Sequence, residues 1–273
     1  MTSAKQDPNR LKEDVTRAAE LLFSSGVMQH SGHGNISARL AEGRMLITGR
    51  GNIEGLTAED LAVVSLEGEV LEGAIELDKP PIIMGHSAGG LFTQILLDHG
   101  YGAAGVAIDS APAEGVRVTP VSQIRSLFPI LRNPANRHRA VGFTKEQFHY
   151  VFTNTLSREE SDEVYERYHV PAPGSFVWAG PLANFTPGHQ DVYVNFRNED
   201  RAPLLFIAGG EDNLMLPAVN QSNAKHYHHT NTVTDYKEFP GRSHYTVGQD
   251  GWEEVADYAL KWAEEHAVTR PHG

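Results

Sequence analysis

The chain has 273 residues, which is enough for one large α/β domain or for two small ones. Its formal net charge of −12 argues against nucleic acid and against an anionic membrane surface as partners. Because there is no cysteine, disulfides, thiol nucleophiles and cysteine metal sites are excluded. No apolar run is long enough to span a bilayer and the polar start lacks a signal-peptide core, so a cytoplasmic location is predicted.

The first part of the chain is predicted to form one helix followed by short strands. Apolar side chains recur at helical spacing between Asp7-Pro8, which is typical of a helix start, and Gly26, which is typical of a stop. Strand-like segments come next, at 36–40, 45–48, 61–66 and 70–71. The last two of them flank the turn Glu67-Gly68, as in a hairpin.

Three motifs in this part resemble the amino-terminal portion of class II aldolases, the fuculose-phosphate aldolase and adducin-head group, over about residues 8–73. They are Gly34-Asn35-Ile36-Ser37-Ala38-Arg39, Met45-Leu46-Ile47-Thr48-Gly49, and the run from Leu56 to Val64. The resemblance implies that Asn35, Thr48 and Gly49 bind a substrate phosphate, and small polar groups and backbone amides suit that ligand.

The aldolase pattern stops after Gly73. The second phosphate-binding serine pair, the catalytic acid and the His-x-His zinc ligands of that family have no counterpart in the rest of the sequence. A catalytic zinc ion needs three protein ligands, so no metal site is predicted. The aldolase-like phosphate site is therefore expected to be vestigial.

The stretch from Pro81 to Leu97 has the pattern of a nucleophile elbow. A short apolar run leads into Gly85-x-Ser87-x-Gly89, and an apolar helical pattern follows directly. The serine of such a turn sits in a strained backbone conformation, and both glycines are expected to let neighbouring backbone pass close by. The motif alone also fits a Gly/Ser-rich loop, but its place between a strand and a helix favours the elbow.

From Leu77 to about Ala267 the chain resembles the α/β-hydrolase family. In that family the triad acid follows a later strand, and Asp212 follows the apolar run 203–210 in this way, with Glu211 as a neighbouring alternative. His244 follows the predicted last strand, 232–239, and a Pro-Gly turn. The chain order serine, acid, histidine is that of α/β hydrolases.

The hydrolase resemblance implies a set of site residues and no cofactor. Ser87, Asp212 and His244 correspond to the catalytic triad, and the backbone amide of Ala88 corresponds to one oxyanion donor. His86, at the variable position of the elbow motif, is interpreted as structural.

A Pro- and aromatic-rich segment, about 119–195, lies where the family inserts its helical cap. Thr144-x-x-Gln147 and Ser157-x-x-Glu160 predict two helix starts within it. Its aromatic side chains could form the core of the cap or line a substrate pocket. For any one of them, the core of the cap is favoured. They are Phe128, Phe143, Phe148, Tyr150, Phe152, Tyr165, Tyr168 and Trp178.

The predicted fold class is α/β: a truncated class II aldolase-like fragment at 1–75, then the carboxy-terminal part of an α/β-hydrolase sheet with its cap at 76–273.

An α/β hydrolase normally has several strands before the elbow strand and a loop that supplies a second oxyanion amide. His33-Gly34-Asn35 superficially resembles such a loop, but the aldolase pattern explains it better. Loss of one donor typically costs about 3–4 kcal/mol of transition-state stabilisation, so impaired activity is predicted. The unpaired edge of the elbow strand favours self-association.

The leading prediction is a serine hydrolase that acts on an ester-like carbonyl of a small-molecule substrate. His244, oriented by Asp212, takes the proton of Ser87, and the resulting acyl-enzyme is hydrolysed by water. Two alternatives stay open: a remnant of a metal-dependent sugar-phosphate lyase of the aldolase type, and a non-catalytic chimera. The sequence does not identify the ester, because the same triad serves many substrates.

Overall fold

A computed structural model of the chain describes residues 8–24, 36–40, 43–49, 53–65, 69–75, 80–118, 120–175, 177–178, 188 and 190–268. The chain divides into two compact units, Met1–Lys79 and Pro80–Gly273. The described strands of the first unit are antiparallel, whereas the main sheet of the second unit is parallel.

The first unit combines one helix with a small sheet. Helix α1 (Pro8–Ser24) is followed by β1 (Ser37–Arg39), β2 (Arg44–Thr48), a 3-10 turn (Ala58–Asp60), β3 (Leu61–Ser65) and β4 (Val70–Glu72). The strands pair in the order β1-β2-β3-β4. Val15 and Ala19 on one face of α1 share a core with Leu46 of β2. The predicted helix and strands are confirmed, while the predicted turn Glu67-Gly68 and the stop at Gly26 lie outside the described residues.

The second unit carries the remaining strands. They are β5 (Ile82–His86), β6 (Ala104–Ile108), the short antiparallel pair β7 (Ala140–Val141) and β8 (Ala172–Pro173), β9 (Leu204–Gly209) and β10 (Thr234–Phe239). The main sheet has the order β10-β9-β6-β5, and all its strands run parallel. Its register places His86 opposite Ile108 and Ile108 opposite Ile207, so the loops after these strands leave the same edge of the sheet.

Helices α2 (Ala88–Asp98), α6 (Pro217–His226) and α7 (Trp252–His266) pack on this parallel sheet. Between β6 and β9 lie α3 (Val121–Leu131), a 3-10 turn (Pro134–His138), α4 (Lys145–Phe152) and α5 (Arg158–Tyr168). Trp262 of α7 packs on one face with Ile207, and Leu91 of α2 packs on the other with Phe206. Burial on both faces explains why β6 and β9 consist almost entirely of apolar residues.

Both predicted capping boxes are present between β6 and β9. The Thr144 hydroxyl accepts a hydrogen bond from the Gln147 amide (3.3 Å), and the Gln147 side chain accepts one from the Thr144 amide (3.0 Å). Ser157 and Glu160 make the same reciprocal pair. These caps start α4 and α5 at the residues that the sequence indicates.

Strand β5 is an edge strand in the described part of the chain. It pairs with β6 only, and Met84 is 40% exposed. The expectation that the elbow strand lacks a neighbour on one side therefore agrees with the described sheet, although self-association through this edge stays a prediction. Among the described helices, none combines the length and the apolar character that a membrane crossing requires.

Candidate active site

Ser87 lies at the sharp turn between β5 and α2. Its backbone has φ 57° and ψ −117°, a conformation that costs of order 1–3 kcal/mol for a residue with a side chain. Hydrogen bonds hold the strained turn in place: the Ser87 amide donates to Ile108 O (2.9 Å), and Ser87 O accepts from the amides of Gly90 and Ala111. The sheet and α2 together therefore fix the direction of this serine.

Two glycines allow the turn to be this tight: Gly85, which the motif indicates, and Gly90, which it does not. A Cβ on Gly85 would lie 2.0 Å from Gly89 O, and a Cβ on Gly90 would lie 2.8 Å from the Ser110 Cβ. A Cβ on Gly89 would have no described atom within 4 Å. The expectation that Gly89 serves close backbone approach is therefore wrong, whereas the expectation for Gly85 is confirmed.

The structure brings Ser87, His244 and Asp212 together in one hydrogen-bonded chain. His244 Nδ1–H donates to Asp212 Oδ2 at 2.6 Å, and His244 Nε2 lies 3.0 Å from Ser87 Oγ. Because Nδ1 faces a carboxylate it carries the proton, which leaves Nε2 of the neutral ring free to accept the serine hydroxyl. Asp212, and not the alternative Glu211, contacts the histidine.

Asp212 is held in place by its own loop. Its second oxygen, Oδ1, accepts the amides of Leu214 (2.6 Å) and Met215 (2.8 Å), and the residue is only 2% exposed. A buried carboxylate with both oxygens engaged has a fixed orientation. The aspartate therefore fixes the histidine ring in turn.

The electrostatics around His244 favour its charged form. Burial acts against charge on this fully buried ring, but the charge and hydrogen bond of Asp212, with a further contribution from Asp109, outweigh burial. The pKa of His244 is therefore raised above its ordinary value. A neutral histidine whose protonated form is stabilised in this way is well suited to receive a proton from a neighbouring hydroxyl.

Asp109 and His86 lie beside His244; sequence reasoning interpreted His86 as structural and did not select Asp109. Asp109 follows β6, is fully buried and has a positive φ of 44°. Burial raises the pKa of its carboxyl group, with a smaller contribution from the Asp212 charge. The signal that was available is its position: an acidic residue directly after a buried parallel strand lies at the edge of the sheet where sites form.

His86, Asp109 and His244 place three potential metal ligands within 4.8 Å of one another. Hydrogen bonds already engage His86 Nε2 and both ring nitrogens of His244, however. Both ring nitrogens of His244 face Asp212 and Ser87, and His86 Nε2 faces the carbonyl oxygen of His244 at 2.8 Å. Because a carbonyl only accepts, that nitrogen is protonated and has no lone pair for a metal. The cluster is thus better described as a hydrogen-bonded network.

The Ala88 amide is the first N–H of helix α2. Among the hydrogen bonds of the described residues, none uses this amide as a donor, as expected for the first turn of a helix. It follows Ser87 directly and lies at the positive end of the helix dipole. It can therefore donate to an oxygen that develops negative charge beside Ser87.

The residues predicted to bind phosphate belong to the first unit. Thr48 is buried, and its hydroxyl accepts the Ile36 amide (3.3 Å). The Gly49 amide donates to Asp60 O at 2.7 Å. Both groups are thus engaged within the fold, and Asn35 lies outside the described residues.

The aromatic residues between β6 and β9 divide between packing and the site. Phe148 is buried and has its ring 5.0 Å from that of Phe152 and 5.3 Å from that of Tyr165. Phe128 and Tyr168 are largely exposed. Phe152 has its ring centroid 5.4 Å from that of His244.

The chain belongs to the alpha/beta hydrolase family, whose profile matches residues 22–258. Solved structures with a similar fold include a monoacylglycerol lipase from Paleococcus ferrophilus, which is 17% identical over 70% of each chain with a TM-score of 0.43. An extracellular alpha/beta-hydrolase from a Paenibacillus species is 18% identical over 67% of this chain and 72% of its own, with a TM-score of 0.48. A putative non-heme bromoperoxidase from Mycobacterium tuberculosis is 14% identical over 70% and 69%, with a TM-score of 0.47. No curated protein matches the chain.

The family match begins well before Leu77, where the sequence resemblance to hydrolases was expected to start. It includes most of the segment whose motifs resemble class II aldolases, and no comparison supports that second resemblance. The family assignment rests on the profile, since the structural similarities have TM-scores below 0.5. The chain is therefore an enzyme of the α/β-hydrolase class.

Proposed function

We propose that the chain is a serine hydrolase that cleaves a carboxylic ester through Ser87, His244 and Asp212. The observation that carries this proposal is the continuous hydrogen-bonded chain from Ser87 Oγ through His244 to Asp212, with distances of 3.0 and 2.6 Å. The strained backbone of Ser87 and its place before α2 support the role of nucleophile. Membership of the family agrees with both points.

In the proposed acylation step, Ser87 Oγ attacks the ester carbonyl while His244 Nε2 takes the hydroxyl proton. The positive charge that appears on the ring lies against the Asp212 carboxylate, which remains ionised and holds the ring in position. The protonated histidine then gives its proton to the departing alkoxide, so an alcohol leaves and an acyl-enzyme remains. Water repeats the sequence with His244 as base, which releases the carboxylic acid and restores Ser87.

The Ala88 amide is proposed as one donor to the tetrahedral oxyanion. A donor of this kind is worth about a hundred- to thousandfold in rate because it is already oriented before charge develops. The sequence assigns no second donor, since His33-Gly34-Asn35 resembles an oxyanion loop only superficially and lies outside the described residues.

We further propose that the segment from about 119 to 195 acts as a cap that shapes the substrate site. The carboxy-terminal end of α4 is tied to the loops of the proposed triad: the Tyr245 amide donates to Phe152 O (2.9 Å), and Asn213 Nδ2 donates to Tyr150 O (3.0 Å). Phe152 thereby presents an aromatic surface beside His244. An ester with an apolar group next to its carbonyl fits such a surface better than a charged one.

The aldolase alternative receives no support from the described residues. The Gly49 amide, which a substrate phosphate would need as a donor, already donates to Asp60 O, and Thr48 is buried. The non-catalytic alternative predicts that Ser87 has no activity, which is open to direct measurement.

The proposal is tested by hydrolysis of p-nitrophenyl acetate and p-nitrophenyl butyrate by the full chain. We expect turnover that is lost in Ser87→Ala and unchanged by a metal chelator, because the proposed mechanism uses no metal. Equal turnover by Ser87→Ala would contradict the proposal. Loss of activity on chelation, with metal-dependent cleavage of a sugar phosphate, would favour the aldolase alternative.

A further inference from the structure

His86 connects the nucleophile elbow to the loop that carries the proposed base. It directly precedes Ser87 in the chain, and its Nε2–H donates to the backbone carbonyl of His244 at 2.8 Å. The two histidine rings lie 4.7 Å apart between centroids. The His244 backbone is therefore hydrogen bonded to the side chain of the residue that precedes the proposed nucleophile.

Asp109 connects the nucleophile elbow to the loop that carries the proposed acid. Its Oδ1 accepts the Gly209 amide at 2.6 Å, and Gly209 O in turn accepts the Asp212 amide at 3.2 Å. The other oxygen, Oδ2, lies 3.7 Å from His86 Nε2 and has no hydrogen-bond partner among the described residues. One buried carboxyl group thus faces both the acid loop and His86.

We infer that His86 and Asp109 are positioning residues that tie the elbow, the acid loop and the histidine loop into one rigid arrangement. This inference rests on the proposed function and adds to it a pair of residues that do not touch the substrate. His86 is only 29% exposed and Asp109 is fully buried.

The chemistry of the pair explains why a histidine and an aspartate occupy these positions. The carbonyl of His244 can only accept, so His86 Nε2 must carry a proton. The Asp109 carboxyl oxygen on the same side of the ring favours that tautomer by attracting the N–H group. Loss of the hydrogen bond from His86 to the His244 carbonyl leaves the triad residues intact but lets the His244 backbone shift relative to Ser87. A displacement of about 1 Å at a catalytic group costs up to about a hundredfold in rate.

The test compares His86→Gln, His86→Asn and His86→Leu in the full-length protein. The Gln amide nitrogen takes the place of Nε2 and reaches the carbonyl, whereas the shorter Asn does not reach it and Leu cannot donate. We expect His86→Asn and His86→Leu to lower kcat roughly ten- to a hundredfold with KM changed by less than about twofold, and His86→Gln to stay within about threefold of wild type. His99→Leu, at an exposed histidine after α2, is the matched control and should behave as wild type.

The Asp109 half of the pair is tested by Asp109→Asn. Asparagine tolerates the positive φ and keeps an oxygen for the Gly209 amide, but it turns an NH₂ group toward the His86 N–H. We expect kcat to fall by several fold to roughly tenfold at unchanged KM, with the melting temperature within a few degrees of wild type.

The rate of labelling of Ser87 by a fluorophosphonate separates the possible results. If the wild type does not label, the proposed function fails and the inference fails with it. If the wild type labels and the Asn and Leu variants at position 86 label equally fast, the inference alone is overturned. Equal losses in Gln, Asn and Leu also overturn it, because a purely steric role for His86 would give that result.

Discussion

The replacement Asp212→Asn tests the proposed triad most sharply because the structure fixes how the new side chain must sit. Oδ1 of Asp212 accepts two backbone amides, from Leu214 and Met215, so the single oxygen of an asparagine is held on that side. The NH₂ group then takes the place of Oδ2, which lies 2.6 Å from His244 Nδ1. Two donors cannot face each other there, so the proton of the ring moves to Nε2 and points at Ser87.

A histidine in that tautomer cannot take the serine proton. We expect kcat for p-nitrophenyl acetate to fall by about 10⁴-fold, as in other triads with this replacement, which corresponds to about 5 kcal/mol in the barrier. The fold should be retained, since the backbone bonds of Asp212 are kept, and circular dichroism should show this. Asp257→Asn, at an exposed position of α7, is the control and should leave kcat unchanged. Activity of Asp212→Asn within about tenfold of wild type, while Ser87→Ala is inactive, would refute the assigned role of Asp212.

Two further predictions follow from the geometry of the elbow and the charge of the site. Asp212 and Asp109 outweigh the effect of burial and raise the pKa of His244. Because the base must be neutral to accept a proton, kcat/KM should rise with pH, and the midpoint of this rise should lie above the ordinary histidine pKa of about 6.5. A midpoint below that value in the pH profile would contradict this. Gly85→Ala should abolish activity and lower the melting temperature, since its Cβ would lie 2.0 Å from a backbone oxygen, whereas Gly89→Ala should keep both near wild type. Equal effects of the two substitutions would show that the elbow is not packed as described.

Much of the second unit could be predicted because its signals are local. The apolar run of β5, the Gly-x-Ser-x-Gly turn and the apolar helix after it lie within one short stretch, and each agrees with the others. Asp212 and His244 could be selected because each follows a predicted strand, and the carboxyl ends of parallel strands meet at one edge of the sheet. The hydrogen bonds of the structure then join these three residues.

The contacts of His86 and Asp109 could not be predicted because they depend on register between distant strands. The His86 side chain contacts a carbonyl 158 positions away, and Asp109 contacts an amide 100 positions away. The contrast between Gly85 and Gly89 likewise depends on which backbone oxygen comes close, and the motif does not contain that information. The aldolase-like motifs show the opposite problem, since short stretches matched a second family while the profile of the hydrolase family extends over most of them.

The measurement that tests the central proposal most directly is fluorophosphonate labelling of the purified full-length protein, with the modified residue located by mass spectrometry. We predict covalent labelling at Ser87 that is absent in Ser87→Ala and strongly slowed in Asp212→Asn, because the probe reports a serine activated by its base. Labelling at another residue, or no labelling of a sample shown to be folded, would contradict the proposal that Ser87, His244 and Asp212 act as a catalytic triad.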